Sequence, residues 1–445
     1  MLIAETNSKG KCDMKLQLHR SGAAALSLAL VLSLAACGST KSLSTGSAAS
    51  ESASEPTAVT TTANVVSDGA TETNDLFTDR DLTQTPDLTD ATYETLSDGD
   101  TLTITEAGVY VLSGTAKNAQ VIVEAADSDK VQLVLDGLSI TNEDAPVIYV
   151  KNADKVFVTT TDSENSLSVT GTFTADGDTN TDAVIFSKDD LVLNGVGTLT
   201  ITSADNGISC RDDLKITGGT YVIESTADAI EANDSVSVAD GSFTITSGKD
   251  GIHCENDEDL SVGSIYICGG TFDIEAGSDG IQGTTVTQID GGTFTITAGE
   301  CIESTYIQIN GGTLTLSGTD DGINASQKSS AVSACVEITG GDISITMAQG
   351  DTDAIDSNGA ILVSGGNIDI TAQFAFDFNT TAEHTGGTIT VNGETVDEIT
   401  ESMMMGGGMG GMGQMPGMQG GPGGMQGGMG GPGQMPGGMG GPGHP

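Results

Sequence analysis

Tryptophan is missing from this chain of 445 residues, aromatic side chains make up only 4% of it, and basic residues number 15 against 62 acidic ones. Each shortage closes off something. A formal net charge of -47 repels nucleic-acid phosphates and an anionic membrane surface, and favours cations as partners. With so few aromatics, stacking on a crystalline sugar surface is a poor fit. The apolar run from Ala23 to Ala36 is too short to span a bilayer. Proline is scarce outside the C-terminal tail, and no CxxC occurs. Only His253-Cys254 sets a histidine beside a cysteine, so thiolate zinc ligation has no support. No Ser/His/Asp constellation appears, and His253 and His384 read as isolated. What remains abundant is Gly, Thr, Ser, Asp, Ile and Val, a mixture suited to short strands and tight turns.

These residues are arranged as a repeat. GGTFDIEAGSDGI runs from Gly269 to Ile281, GGTFTITAGECI from Gly291 to Ile302 and GGTLTLSGTDDGI from Gly311 to Ile323. Self-similarity at so short a period predicts a solenoid, in which each repeat is one coil and stacking creates the core. Upstream, from about Thr101, TLTIT, GVYVLSG, VIVEA and VQLVLDGLSI alternate apolar and polar residues, the pattern of strands with one buried face.

The flanks differ. Lys15, His19 and Arg20 precede the apolar run, which ends in Leu34-Ala35-Ala36-Cys37. Residues 1–36 therefore read as a signal peptide, and the ending resembles a bacterial lipobox whose Cys37 becomes lipidated. Residues 37–86 are rich in Ser, Thr and Ala and read as a disordered spacer. The β-helical part is expected over 87–400. Residues 401–445 are rich in Gly, Met, Gln and Pro, a composition that cannot fill a core. Eleven of the 14 Met lie in this tail; it reads as a flexible wall-penetrating or adhesive segment, with soft-metal binding the alternative.

Aligned on Ile, the repeats divide into columns. Asn206, Asp228, Asp250, Asp279, Glu300, Asp321 and Asp353 each stand two residues before an Ile, at spacings of 22, 22, 29, 21, 21 and 32 residues. The two long coils carry loops. Carboxylates stacked about 4.8 Å apart repel one another. A hard divalent ion relieves this, and Ca²⁺ suits carboxylate and carbonyl oxygens, so Asp228, Asp250, Asp279, Glu300, Asp321 and Asp353 are candidate ligands. Asp that caps a turn through backbone N–H groups needs no metal, and both readings stand. Glu300, with Cys301 in the small slot, is where the column should break. Gly207, Gly251, Gly280 and Gly322, or Ala229 and Ala354, are expected to supply the tight bend.

One residue past Ile comes a polar, outward column that includes Ser209, Glu231, His253, Gln282, Glu303, Asn324 and Asp356. It could hydrogen-bond an extended glycan, or be an ordinary solvated face. The next position points inward and is small, with Cys210, Ala232 and Cys254 among its members. Cys210 and Cys254 lie two coils apart, beyond disulfide reach. Tyr221, Tyr266, Tyr306 and Phe378 are candidate stacking aromatics, whereas Phe243, Phe272 and Phe294 read as a core stack. Arg211 should face Asn233 and Glu255, whose neighbourhood keeps it charged and a poor catalytic base.

The strings AGVYVLSG, KVQLVLDGLSI and PVIYVKNADKV, with the GG-strand-DGI repeats behind them, resemble a bacterial extracellular family of carbohydrate-binding domain proteins described from cellulose-degrading clostridia. The resemblance implies a right-handed parallel β-helix like that of pectate lyases, calcium bound between coils, and affinity for cellulosic and pectic polymers. The resulting expectation is a monomeric cell-surface lipoprotein, outside the cell and tethered to the membrane through lipid alone. It would bind calcium and polysaccharide without catalysis or nucleic-acid partners. A pectate-lyase-like enzyme and a passive adhesin or spacer are the alternatives.

Overall fold

Strict alternation makes strands, and the joints between them decide where each strand stops. A computed structural model of the chain describes residues 2–6, 12–16, 76–256, 258–350 and 352–401, and these form strands and turns. One coil is built from Asn206–Cys210, Asp213–Ile216 and Thr220–Ser225. The next repeats it with Ile230–Ala232, Ser235–Val238 and Ser242–Ser247. Equivalent strands pair in parallel and in register, so Ile208, Ile230, Ile252, Ile281, Ile302, Ile323 and Ile355 form one continuous ladder. The fold is a parallel β-helix with three strands per coil. The stack of first strands holds twelve members, from Thr101–Ile104 to Phe374–Phe378. The other two stacks join as one 24-stranded sheet. Lys130–Asn142 links them because it is long enough to pair with both Lys155–Thr160 and Glu164–Val169.

Stacking identical positions puts like on like inside the coil. Phe243, Phe272 and Phe294 lie face to face with ring centroids 4.6 Å apart and planes within 2°. Tyr221 extends this stack at 5.2 Å, is 1% exposed, and donates its hydroxyl to the Gly218 carbonyl at 2.7 Å. It is therefore a core residue and not the surface platform expected from the sequence. Tyr266 is buried as well, its hydroxyl 2.9 Å from Asp290 Oδ2. Tyr306 donates to Glu337 Oε2 at 2.5 Å, and Phe378 packs against the core. The four aromatics thus offer no shared stacking surface.

The glycines divide their work differently from the sequence expectation. The bend belongs to the second glycine of each GG pair, as at Gly270 and Gly292, whose φ values of 105° and 107° favour glycine. Gly280, beside the acidic column, is needed for closeness: a Cβ there would sit 2.3 Å from Ile296 Cγ2 and 2.6 Å from the Cys301 carbonyl. Cys210, Cys254, Cys301 and Cys335 are free and buried.

Residues 76–86 of the segment expected to be a disordered spacer are described, and they lie against the coils. Phe77 is 2% exposed and packs with Tyr266. Gln84 Oε1 accepts from Gly195 N at 2.8 Å, while its Nε2 donates to the Thr217 carbonyl at 3.0 Å. Asn194 Nδ2 donates to the carbonyls of Asp81 and Thr83 at 3.2 and 3.3 Å, and Arg80 lies 4.3 Å over the Phe157 ring. This strap crosses successive coils, and apolar anchors together with satisfied backbone groups hold it there. Further towards the N-terminus, the described backbone of 2–6 and 12–16 forms an antiparallel pair. The apolar run of the expected signal peptide, Cys37, the expected spacer up to residue 75 and the tail from 402 lie outside the described residues.

Phe272 has a stacked ring on either side, so Phe272→Ala should cost about 3–5 kcal/mol. The urea midpoint checks this, and a shift within error of wild type would mean that the aromatic stack contributes little.

Candidate functional site

The acidic residue opens the first strand of a coil, as in Asp279–Gly283, or stands just before it, as Asp250 does before Ile252–Cys254. One side-chain oxygen of Asn206, Asp228, Asp250 and Asp321 reaches the next coil's main chain. Asp228 N donates to Asn206 Oδ1, Asp250 N to Asp228 Oδ1 and Asp279 N to Asp250 Oδ1, each at 2.9 Å; Asp353 N donates to Asp321 Oδ1 at 3.0 Å. This is capping, and it occupies one side-chain oxygen of each of these four residues. At Glu300 the side chain instead accepts from Asn324 Nδ2 at 3.0 Å.

The second column stands in register one residue beyond Ile: Ser209, Glu231, His253, Gln282, Glu303, Asn324 and Asp356. It is no free surface, since Ser209, Glu303 and Asn324 are buried and the others half-buried. Its side chains turn back to their neighbours. Asn206 Nδ2 and Ser209 Oγ both donate to Glu231 Oε2 at 2.9 Å, and Gln282 Nε2 donates to Glu303 Oε2 at 2.9 Å. The two columns therefore line one groove.

Three cationic side chains interrupt this acidic groove. Arg211 lies 3.4 Å from Asp182, 3.6 Å from Glu231 and 3.4 Å from Asn233, over the Phe186 ring at 5.4 Å. The expected partner Asn233 is present, while Glu255 is held by another residue. That residue is His253, whose Nε2 is 3.2 Å from Glu255 Oε2 and whose Nδ1 is 3.5 and 3.6 Å from Asp228 Oδ2 and Asp250 Oδ2. His253 is thus far from isolated. Burial alone would lower its pKa, but contact with Asp228 and the charges of Asp250 and Asp228 outweigh burial and hold it at about 9. The third cation, Lys328, meets Glu303 Oε2 at 2.7 Å. Burial opposes its charge, yet the Glu303 carboxylate keeps its pKa above the ordinary value.

Between His253 and Lys328, carboxylate oxygens of Asp279, Glu300 and Glu303 lie within 4.8 Å of one another. They line an open cleft of about 580 Å³ shared with Gln282, Asp320 and Lys328. The long coils position Lys328 at its edge: Ser329 Oγ donates to the Leu260 carbonyl, and Lys328 N and Ser329 N donate to Thr305 Oγ1 at 3.0 and 2.9 Å. Burial, then Asp250 and Glu303, raise Asp279 to about 7. Burial, then Glu303 and Asp279, raise Glu300 to about 8. Asp321 rises to about 7 through burial, then Asp356 and Asp320, despite its hydrogen bond from Asp353. Hard oxygen donors converging without a full complement of protein cations suit a divalent ion of the calcium class.

A further acidic group, Asp190, Asp212 and Asp213, was not picked out from the sequence. Its signal was present in two strings, Lys188-Asp189-Asp190-Leu191 and Arg211-Asp212-Asp213-Leu214, which stack in register through Leu191 and Leu214.

A family model of carbohydrate-binding domain-containing proteins matches residues 98–352 and 302–405. The chain is 38% identical over 120 residues to a carbohydrate-binding domain-containing protein of Acetivibrio thermocellus, a match covering 26% of this chain and 42% of that relative. The chain thus spans less than half of that relative's length. A solved structure described as the polysaccharide lyase-like protein from C. thermocellum, a gadolinium derivative, is 26% identical, with a TM-score of 0.44; the match covers 58% of this chain and 98% of the other.

A pH test follows from the crowded carboxylates. Asp279, Glu300 and Asp321 titrate higher folded than unfolded, so the folded state binds their protons more tightly. The stability they contribute is full below pH about 4 and is lost as pH rises through 7 to 8. In chelator, the melting temperature of wild type should fall relative to Glu300→Gln across that window. Parallel melting curves for the two proteins would remove Glu300 from the account.

Proposed function

The chain belongs to the family of carbohydrate-binding domain-containing proteins, and from that premise we propose that its acidic groove binds polysaccharide without cleaving it, with calcium as the bridging ion. The observation that carries this is the open cleft where Asp279, Glu300 and Glu303 converge. Asp279 and Glu300 would hold the ion with Glu303 beside them, and Asp321 and Asp353 offer carboxylates further along the column. Bound there, calcium supplies positive charge that relieves carboxylate repulsion and attracts oxygens of a sugar, including a uronate. Glu231, His253, Gln282, Glu303, Asn324 and Asp356 supply donors and acceptors along the groove, so an extended polymer of pectic or cellulosic type fits its direction. Asp228 and Asp250 differ from the rest of the column, because His253 already stands between their outer oxygens.

The same geometry speaks for binding over elimination. Proton abstraction next to a uronate needs a base whose pKa is lowered toward neutrality. Lys328, the basic residue in the cleft, is shifted the opposite way by Glu303, and Arg211 is engaged by Asp182 and Glu231. We place the protein outside the cell, on a lipid anchor at Cys37.

Calcium at a hundredfold excess over its Kd should stabilise the fold by about 2.7 kcal/mol. Asp279→Asn combined with Glu300→Gln should remove that gain, as read by melting curves with and without chelator. If chelation leaves wild type unchanged, the column is capping alone. Retention on insoluble glycans, with and without calcium, tests the ligand, and no retention on any glycan would favour a passive spacer. Release of unsaturated, ultraviolet-absorbing product from polygalacturonate would overturn the non-catalytic reading in favour of a lyase.

A further inference from the structure

His253 is placed as a ligand more than as a surface residue. Its Nδ1 is closed off from solvent and has no hydrogen-bond partner, and it faces Asp228 Oδ2 at 3.5 Å and Asp250 Oδ2 at 3.6 Å. Each aspartate is fixed by its other oxygen: Asp228 Oδ1 accepts from Asp250 N, and Asp250 Oδ1 from Asp279 N, both at 2.9 Å. The imidazole is fixed from the far side, where Nε2 meets Glu255 Oε2 at 3.2 Å. Both carboxylates are buried, with side chains 7% and 8% exposed.

We propose that Asp228, Asp250 and His253 form a binding site for a d-block divalent ion of the zinc class, separate from the oxygen-only cleft at Asp279. Two donors each about 2.1 Å from an ion in tetrahedral geometry lie roughly 3.4 Å apart, close to the observed Nδ1 to Oδ2 separations. An imidazole nitrogen suits zinc, iron, nickel or copper, and hard calcium takes oxygen instead. The arrangement of Glu255, imidazole and ion is the second-shell pattern that holds a ligating histidine, with Nε2–H donating to a carboxylate so that Nδ1 presents its lone pair. The donors are carboxylate and imidazole, so the lack of thiolate pairs in the sequence does not bear on the site. Three protein donors leave a fourth position for water or for an oxygen of a molecule in the groove. Without the ion, a proton on Nδ1 fills the same gap, and binding exchanges that proton for the metal. This inference does not rest on the glycan reading.

The test is titration of the untagged, full-length, metal-free chain with Co²⁺, followed by visible absorption and calorimetry, with Ca²⁺ as competitor. One equivalent should bind with a visible ligand-field band, and Ca²⁺ should displace it poorly. His253→Gln should abolish that band. Glu255→Gln, at a side chain 42% exposed, should weaken Co²⁺ binding by about 10- to 100-fold. An unchanged band in His253→Gln, or displacement of Co²⁺ by equimolar Ca²⁺, would overturn the site. If His253→Gln fails to fold, Glu255→Gln decides, and unchanged affinity there counts against the proposal.

Discussion

In-register stacking governs this molecule: every residue sits about 4.8 Å above the equivalent residue of the next coil. The rule is favourable where side chains are apolar. Ile ladders and the Tyr221-Phe243-Phe272-Phe294 stack fill the interior with matched shapes. Where side chains are acidic the same rule crowds like charges. Backbone N–H groups of successive coils absorb part of that cost by donating to Asn206, Asp228, Asp250 and Asp321. Arg211, His253 and Lys328 absorb another part.

Those three cations divide a uniform repeat into unlike stations along its axis. Arg211 closes the early end over Phe186, His253 stands between two aspartates, and Lys328 borders a cleft where three carboxylates still converge. The 29- and 32-residue coils put their extra residues side by side, so that Leu260 and Ser329 meet, and Lys328 beside Ser329 lines that cleft. A β-helix acquires a local site by such exceptions to its repeat, since the repeat itself has no preferred position.

Much of the coil architecture was legible because stacking demands a period, and the GG, alternating and small-Ile phrases state it. The columns were legible for the same reason. Their environment was less so. A residue one past Ile in an alternating strand reads as outward and solvated, yet Glu303 and Asn324 are buried, because neighbouring coils supply partners that no single repeat reveals. The ordered strap was hidden by its composition: Phe77 and Gln84 lie among threonines and aspartates, and only the coils they cross explain their order.

By itself the sequence determined the stacking of coils, the residues that share each column and the buried phenylalanine ladder, since all three follow from local periodicity. Tertiary structure decided which carboxylates are answered by a protein cation and which are left facing a cleft. It also decided that Tyr221 belongs to the core. The physical reason is distance: His253 meets Asp228 across 25 residues and Ser329 meets Leu260 across 69, contacts that the coil register, and nothing local, brings together.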